Sequence, residues 1–172
     1  MKGAAVAAAC ALSACAYPVD PAECAIDADC TGTAFCFAGS CRAGTRTCPT
    51  LAPTYSSIDR NLFKVGCGTS GSKAANCHSR EGAVTTSGLD LIDDPYSQMV
   101  NQRAFNLSGS IRGLIVVKPG DPQSSFLVTK LHLTTASDPA YGAGMPADAP
   151  GSICQSAQDA VAQWIQNGAG RN

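Results

Sequence analysis

Residues 156–170, SAQDAVAQWIQNGAG, contain the clearest helical pattern in the chain. Their apolar residues recur at positions i, i+3, i+4, i+7 and i+8, which is the spacing of one helix face. They are Ala157, Ala160, Val161, Trp164 and Ile165. Ser156 is the predicted N-cap, Asp159 falls in the first turn, and Asn167-Gly168 ends the pattern. The stretch predicts an amphipathic helix that packs on a core through its apolar face.

Three further helices are predicted upstream. One covers about residues 56–66 and has Ser57 as its cap. Two others begin with an Asp-Pro pair, Asp94-Pro95 in residues 93–103 and Asp121-Pro122 in residues 120–131, where Asp is the N-cap and Pro suits the first helical position. Only residues 114–117, LIVV, have strand character, and one short run makes no sheet. Residues 55–170 are therefore predicted to form a mainly α domain.

Residues 24–41, CAIDADCTGTAFCFAGSC, predict a separate cysteine-rich module. Its four cysteines, Cys24, Cys30, Cys36 and Cys41, are spaced C-x5-C-x5-C-x4-C without any C-x-x-C pair, so disulfides are favoured over a metal site. The segment has no helix-length apolar face, and disulfides must hold it together. It resembles the Dickkopf N-terminal module, with Asp27 to Cys30 and Gly39 to Cys41 as landmarks. Residues 42–54 are the predicted linker to the α domain.

The first residues indicate export. Residues 1–14 hold one lysine and a short run rich in alanine, which is the layout of a signal peptide. Residues 12–15, Leu-Ser-Ala-Cys, look like a bacterial lipobox, and that family implies a lipid on Cys15 and a tether over residues 15–23. Ala16 then favours the outer membrane, on its periplasmic side or at the cell surface. The alternative is a plain signal peptide with an incidental cysteine.

The cysteine count is consistent with an oxidising compartment. The chain has 10 cysteines; Cys10 leaves with the signal peptide and Cys15 carries the lipid. Eight remain, and an even, dense set in an exported chain predicts disulfides. Cys48 and Cys154 flank the terminal helices of the α domain without near neighbours, so we predict that they pair.

Residues 67–78, CGTSGSKAANCH, pose the main question about function. Attachment of a c-type haem normally uses Cys-x-x-Cys-His, with two thioethers and a proximal histidine. Here nine residues separate Cys67 from Cys77, and His78 follows Cys77 directly. Met145, in the loop sequence GAGMPAD, is a candidate distal ligand, and His132 is a second one. The two cysteines either attach haem or form a disulfide.

The order of these landmarks resembles the small cytochrome-c-like domains of bacterial exported lipoproteins. The landmarks are Cys67, Cys77-His78, residues 88–91 (GLDL), residues 119–131, Gly144 to Pro146 and residues 164–169. The resemblance implies a mostly α fold around one covalent haem c, with His78 as proximal and Met145 as distal iron ligand. The interrupted attachment motif is the departure from the family.

Charge and composition exclude other classes of function. The net charge is −1 and there is no basic run, so nucleic acid is not an expected partner. The chain has only two histidines and no nucleophile–base arrangement, so it is not expected to be an enzyme. Two hypotheses remain: a membrane-anchored electron carrier with a redox protein partner, or a haem-free surface lipoprotein with a structural or partner-binding role.

Overall fold

The structure, a computed structural model, describes residues 24, 29–37, 40–44, 48–67, 78–79, 83, 88–105, 112–135, 137–147 and 150–172. The expected signal peptide, lipobox, Cys15 and tether lie outside these residues, as does Cys77. Within the described ranges the regular structure is mainly helical, as the sequence predicts. No helix in this part of the chain is long and apolar enough to cross a membrane.

The cysteine-rich module contains a small antiparallel hairpin that its sequence pattern does not predict. Strand β1, Phe35–Phe37, pairs with strand β2, Ser40–Arg42, and Cys36 lies opposite Cys41. A disulfide joins Cys30 to Cys41, and Cys24 is also disulfide-bonded. Strands of three residues are too short for an alternating pattern to be visible in the sequence.

The first predicted helix has two parts. Helix α1, Tyr55–Ile58, continues directly as a π-helix, Asp59–Cys67. Thr54, and not the predicted Ser57, is the N-cap, because the Thr54 side chain accepts the backbone N–H of Ser57. Asp59 and Lys64 form an ion pair of 3.0 Å between Oδ2 and Nζ. They are separated by five positions, which is the repeat of π-helical hydrogen bonds.

Helix α2, Pro95–Met99, begins with Asp94 as its N-cap, as predicted. It ends after five residues, because Val100 is extended and Asn101 has a φ of 59°. The chain then runs beside the predicted strand-like segment 114–117. Val117 N–H donates to Met99 O at 3.0 Å, and Ala104 N–H donates to Leu114 O at 2.8 Å. The segment makes isolated β-bridges, not a sheet.

Helix α3, Phe126–His132, has Ser125 as its N-cap, so the prediction of Asp121 was wrong. The N–H groups of Phe126 and Leu127 donate to the carbonyls of residues 115 and 116, both at 2.9 Å. These are first-turn donors that have no partner within a helix. The 114–117 segment therefore supplies the acceptors that a capping side chain would otherwise supply, and Asp121 lies in the preceding turn.

Helix α4, Gln155–Gln166, follows the predicted amphipathic pattern but begins one residue before the predicted cap, Ser156. Its N-cap is Cys154, which forms a disulfide with Cys48. This is the pair that the sequence predicts. Ser156 is exposed, and its hydroxyl donates to Pro49 O at 3.4 Å. The Cys48–Cys154 disulfide and the hydrogen bond from Ser156 to Pro49 thus position the start of helix α4 together.

The core of the α domain forms around helix α4. Its largest fully buried side chains come from helices α1, α2 and α4, from the π-helix and from the 114–117 segment: Trp164, Phe63, Ile58, Met99, Ile165, Val117 and Val161. The indole N–H of Trp164 donates to Gly170 O at 2.9 Å, which satisfies the only polar atom of that side chain. Burial of such side chains is the main stabilising contribution to the fold.

The last residues bind the beginning of helix α1. The amide oxygen of Asn172 accepts the N–H of Tyr55 at 3.0 Å, and its backbone oxygen accepts the N–H of Ser56 at 2.9 Å. Arg171 forms an ion pair with Asp94 at 2.8 Å. The C-terminal residues therefore satisfy helix donors that would otherwise lack partners.

Candidate functional site

His78 is bound to the GLDL segment, residues 88–91, by two hydrogen bonds. Its ring nitrogen Nδ1 lies 3.0 Å from the carbonyl oxygen of Leu89, and its own carbonyl accepts the N–H of Leu91 at 2.8 Å. Leu91 is buried in the core, while the His78 residue is half-buried. The imidazole is therefore held against the domain.

The GLDL segment is itself anchored at both ends. Asp90 is buried; its carboxylate accepts the N–H of Ile92 at 2.7 Å, and its N–H donates to the Gln98 side chain at 2.9 Å. At Gly88, φ is +67° and an added Cβ would lie 2.7 Å from Phe105 Cβ. A side chain at position 88 would meet both a strained backbone and a steric clash. These contacts give the Leu89 carbonyl a defined position.

The contact with Leu89 determines which tautomer of His78 is present. A carbonyl oxygen can only accept, so Nδ1 must carry the hydrogen. In the neutral ring Nε2 then keeps its lone pair. Burial lowers the pKa of His78 below 6.5, the nearby charge of Lys130 lowers this pKa further, and the Leu89 carbonyl opposes both effects. The neutral ring with an available Nε2 is the form that binds metals.

Met145 lies at the end of an ordered loop, residues 138–145, which we call the Met145 loop. The Asp138 carboxylate accepts the N–H groups of Ala140 and Tyr141, both at 2.8 Å, and Asp138 and Gly142 exchange two backbone hydrogen bonds. Met145 is half-buried, and its N–H donates to the Lys130 carbonyl at 2.8 Å. The loop is thus folded on itself and attached to helix α3.

Gly144 allows the Met145 loop to lie directly on the backbone after helix α3. Its N–H donates to Thr135 O at 2.9 Å, and a Cβ built on it would lie 2.1 Å from Leu133 O. No side chain fits in that space, because real Cβ atoms do not approach a carbonyl so closely. The glycine before Met145 is therefore required by the packing of this loop.

Lys130 connects helix α3 with the Met145 loop and influences His78, a role that the motifs of the sequence do not predict. The residue is 9 % exposed, and its ammonium group donates to Tyr141 O at 3.2 Å and to Ala143 O. Its charge is close enough to His78 to influence the pKa of that ring. One feature of the sequence could have indicated this burial. Lys130 lies four positions after Phe126, so it shares a helix face with Phe126 and lies next to the buried Leu131.

The remaining candidate residues lie at separate places. Cys67 is the last residue of the π-helix, half-buried against the core, and its predicted partner Cys77 lies outside the described residues. His132, the alternative distal ligand, is exposed at the end of helix α3. Met99, the other methionine of the α domain, is a core residue and is fully buried.

The cysteine-rich module offers no thiolate to a metal through its described cysteines. The sulfur atoms of Cys24, Cys30 and Cys41 lie within 4.8 Å of one another. All three are disulfide-bonded, however, and thiolates are the ligand form of cysteine. Their proximity is that of adjacent disulfides.

The described ligand candidates fit a haem iron chemically. His78 presents an Nε2 lone pair with its other ring nitrogen hydrogen-bonded to a carbonyl, which is the usual outer contact of a ligating histidine. Met145, a half-buried residue, supplies a thioether side chain on a loop that is anchored to helix α3. Comparisons with protein-family models, with curated proteins and with solved structures find no match.

Proposed function

We propose that this chain is a membrane-anchored electron-transfer protein with a cytochrome-c-like domain that binds one haem c. In this proposal Cys67 and Cys77 form the thioether bonds, His78 is the proximal ligand and Met145 is the distal ligand. When bound, the haem supplies one-electron redox chemistry. A redox protein is the expected partner.

The observation that carries the proposal is the 3.0 Å contact between His78 Nδ1 and Leu89 O. A histidine in a purely structural role can use either ring nitrogen, Nδ1 or Nε2, for a hydrogen bond to any partner. Here the Leu89 carbonyl accepts a hydrogen bond from Nδ1–H, and Nε2, the ring nitrogen that a haem iron would use, keeps its lone pair. The GLDL segment that provides this carbonyl is also one of the landmarks of the resemblance to exported cytochromes.

The chain's own residues have separate tasks in this function. The Leu89 carbonyl orients the His78 ring and increases electron density on its second nitrogen. The backbone bond from Met145 to Lys130, together with the packing of Gly144 on Leu133, fixes the backbone from which the Met145 side chain extends. A thioether ligand favours the reduced form and raises the reduction potential.

The lipid on Cys15 supplies the membrane anchor in this proposal, and the outer membrane is the proposed location, on the periplasmic side or at the cell surface. Several lipid chains on one cysteine bind stably, whereas a single chain binds marginally. The disulfide-rich module, with its bonded Cys24, Cys30 and Cys41, stands between the tether and the α domain along the chain.

Absorption in the Soret region tests the function directly. The mature chain is exported to the bacterial periplasm behind a cleavable signal peptide, together with haem-maturation factors, purified under denaturing conditions and scanned. Covalently attached haem gives a Soret band that survives denaturation and extraction with acidic acetone. A protein without this band is the haem-free surface lipoprotein, with Cys67 and Cys77 in a disulfide.

A further inference from the structure

We propose that Lys130 is a positioning residue, which holds the end of the Met145 loop in place for iron ligation and sets a positive charge beside that loop. This inference rests on the proposed function. It assigns a role to a buried charge that neither the helix pattern nor the expected ligand set explains.

The burial of Lys130 needs a specific explanation. Removing an ammonium group from water is unfavourable, and an apolar side chain could fill the same position on helix α3 without that cost. At 9 % exposure, Lys130 is nevertheless buried beside Phe126 and Leu131, and its nitrogen lies 5.6 Å from the centre of the Phe126 ring. The ring face stabilises the charge partly. The main compensation must come from hydrogen bonds.

Those hydrogen bonds all go to the Met145 loop. The ammonium group donates to the carbonyls of Tyr141 and Ala143, and the backbone carbonyl of Lys130 accepts the N–H of Met145. One residue of a helix therefore binds three positions in the last five residues of the loop. Charge-assisted hydrogen bonds are about twice as strong as neutral ones.

Such an attachment suits a loop that must present a ligand. The beginning of the loop is closed by Asp138, which caps Ala140 and Tyr141. Its end makes no sheet and belongs to no helix. Lys130, the hydrogen bond from Gly144 N–H to Thr135 O and the packing of Gly144 on Leu133 position it. Ligand atoms must be held within about 0.5 Å of their productive positions.

The charge of Lys130 has a second consequence. A positive charge near a redox centre disfavours its oxidised form, which carries one more positive charge, and so raises the reduction potential. The negative charge that influences Lys130 in the described structure is Asp138, which offsets part of this effect. The positioning effect and the charge effect of Lys130 can be separated by experiment, because the neutral side-chain amide of a glutamine can still donate hydrogen bonds.

The test compares Lys130→Met, Lys130→Gln and the control Lys118→Met. Lys118 is half-exposed and pairs with Asp121 at 2.8 Å, so the control makes the same substitution at the surface. The first measurement uses the full-length mature protein without haem and follows hydrogen exchange of the Met145 amide. We expect exchange roughly tenfold or more faster in Lys130→Met than in the control, and intermediate exchange in Lys130→Gln.

The second measurement uses the haem-loaded protein. Lys130→Met should lose or weaken the methionine–iron charge-transfer band of the oxidised form and lower the reduction potential. Lys130→Gln should retain the band and still lower the potential, since it keeps donors but no charge. The control should change neither quantity.

If Lys130→Met does not fold, the unmodified protein provides the test by NMR. The Lys130 ammonium protons should exchange slowly and show couplings to the carbonyl carbons of residues 141 and 143, whereas rapidly exchanging protons without these couplings overturn the proposal. Absence of haem from the unmodified protein overturns the proposed function. Haem binding together with unchanged Met145 exchange in Lys130→Met overturns the role of Lys130 alone.

Discussion

The Nδ1 atom of His78 and the carbonyl oxygen of Leu89 lie 3.0 Å apart, although eleven positions separate the two residues in the chain. The second bond between these segments, from Leu91 N–H to His78 O, has a length of 2.8 Å. The backbone bond holds His78 beside residues 88–91, and the ring contact with Leu89 orients the imidazole and selects its tautomer before any ligand binds. Ligand groups that are already oriented lose less conformational freedom on binding.

The lipid anchor gives the first prediction. Cys15→Ser should release the protein from membranes, because lipidation is the strong anchor expected in this chain. Fractionation of cells into membrane and soluble portions measures the effect. Cys10→Ser is the matched control, since Cys10 lies within the predicted signal peptide. Retention of the Cys15→Ser protein in the membrane fraction would defeat the prediction.

The Cys48–Cys154 disulfide should contribute strongly to stability. It joins residues 106 positions apart, and in the chain-entropy model a loop of about 100 residues contributes about 4.7 kcal/mol to the free energy of unfolding. The double variant Cys48→Ser/Cys154→Ser should lose a large part of that amount. Urea unfolding followed by the fluorescence of Trp164, the single tryptophan, measures it.

Removal of the Cys30–Cys41 disulfide is the comparison for that experiment. These residues are 11 positions apart, and the same model gives about 3 kcal/mol for a loop of that length. A smaller effect on the Trp164 transition is expected. An effect of Cys48→Ser/Cys154→Ser no larger than that of Cys30→Ser/Cys41→Ser would contradict the prediction.

Gly144→Ala should destabilise the Met145 loop. The added methyl group would lie 2.1 Å from Leu133 O, so the backbone on one side must move. Overpacking of this kind costs about 1–3 kcal/mol, measured by urea unfolding. Gly170→Ala is the control, since its Cβ would meet nothing within 4 Å, and a change within about 0.5 kcal/mol is expected there. Equal stability of the two variants would refute the steric argument.

The stability of the haem-free protein should depend on the protonation of His78. Burial, with a further effect of the Lys130 charge, lowers the pKa of His78 below 6.5 in the folded state. The unfolded chain then binds more protons at acidic pH, so this contribution to the free energy of unfolding is complete above about pH 6.5 and is lost as the pH falls through the folded-state pKa. Urea unfolding at about pH 7.5 and about pH 5 measures the difference.

His78→Gln should reduce that pH dependence, because glutamine cannot take up a proton in this range. His132→Gln is the control, since His132 is exposed at the end of helix α3. A pH dependence that is the same in His78→Gln and in the unmodified protein would show that another group is responsible.

The helix pattern of the sequence predicts the fold class well, and helix starts less well. The apolar face of residues 157–165 is buried as expected, but the Cys48–Cys154 disulfide places the cap at Cys154 and not at Ser156. Helix α3 begins after Ser125, because carbonyls of the 114–117 segment accept its first N–H groups. Both starts depend on tertiary contacts that a local pattern does not contain.

The candidate site, too, is predicted only in part by the local sequence. His78 and Met145 are recognisable from the motifs around them, whereas the Leu89 carbonyl and Lys130 are not. The first depends on pairing between segments that are distant in the sequence, and the second depends on the packing of a loop over helix α3. The π-helix is likewise hidden, because Ile58 and Leu62 share a face in an α-helix as well.

Mass spectrometry of the peptide containing residues 67–78 shows directly whether haem is attached to Cys67 and Cys77. The mature protein is expressed with haem-maturation factors, digested without reduction and compared with a His78→Ala variant. We expect the added mass of haem on this peptide, and loss of the normal low-spin spectrum in His78→Ala. A peptide that carries no haem and is lighter by two hydrogens, as in a Cys67–Cys77 disulfide, would contradict this expectation.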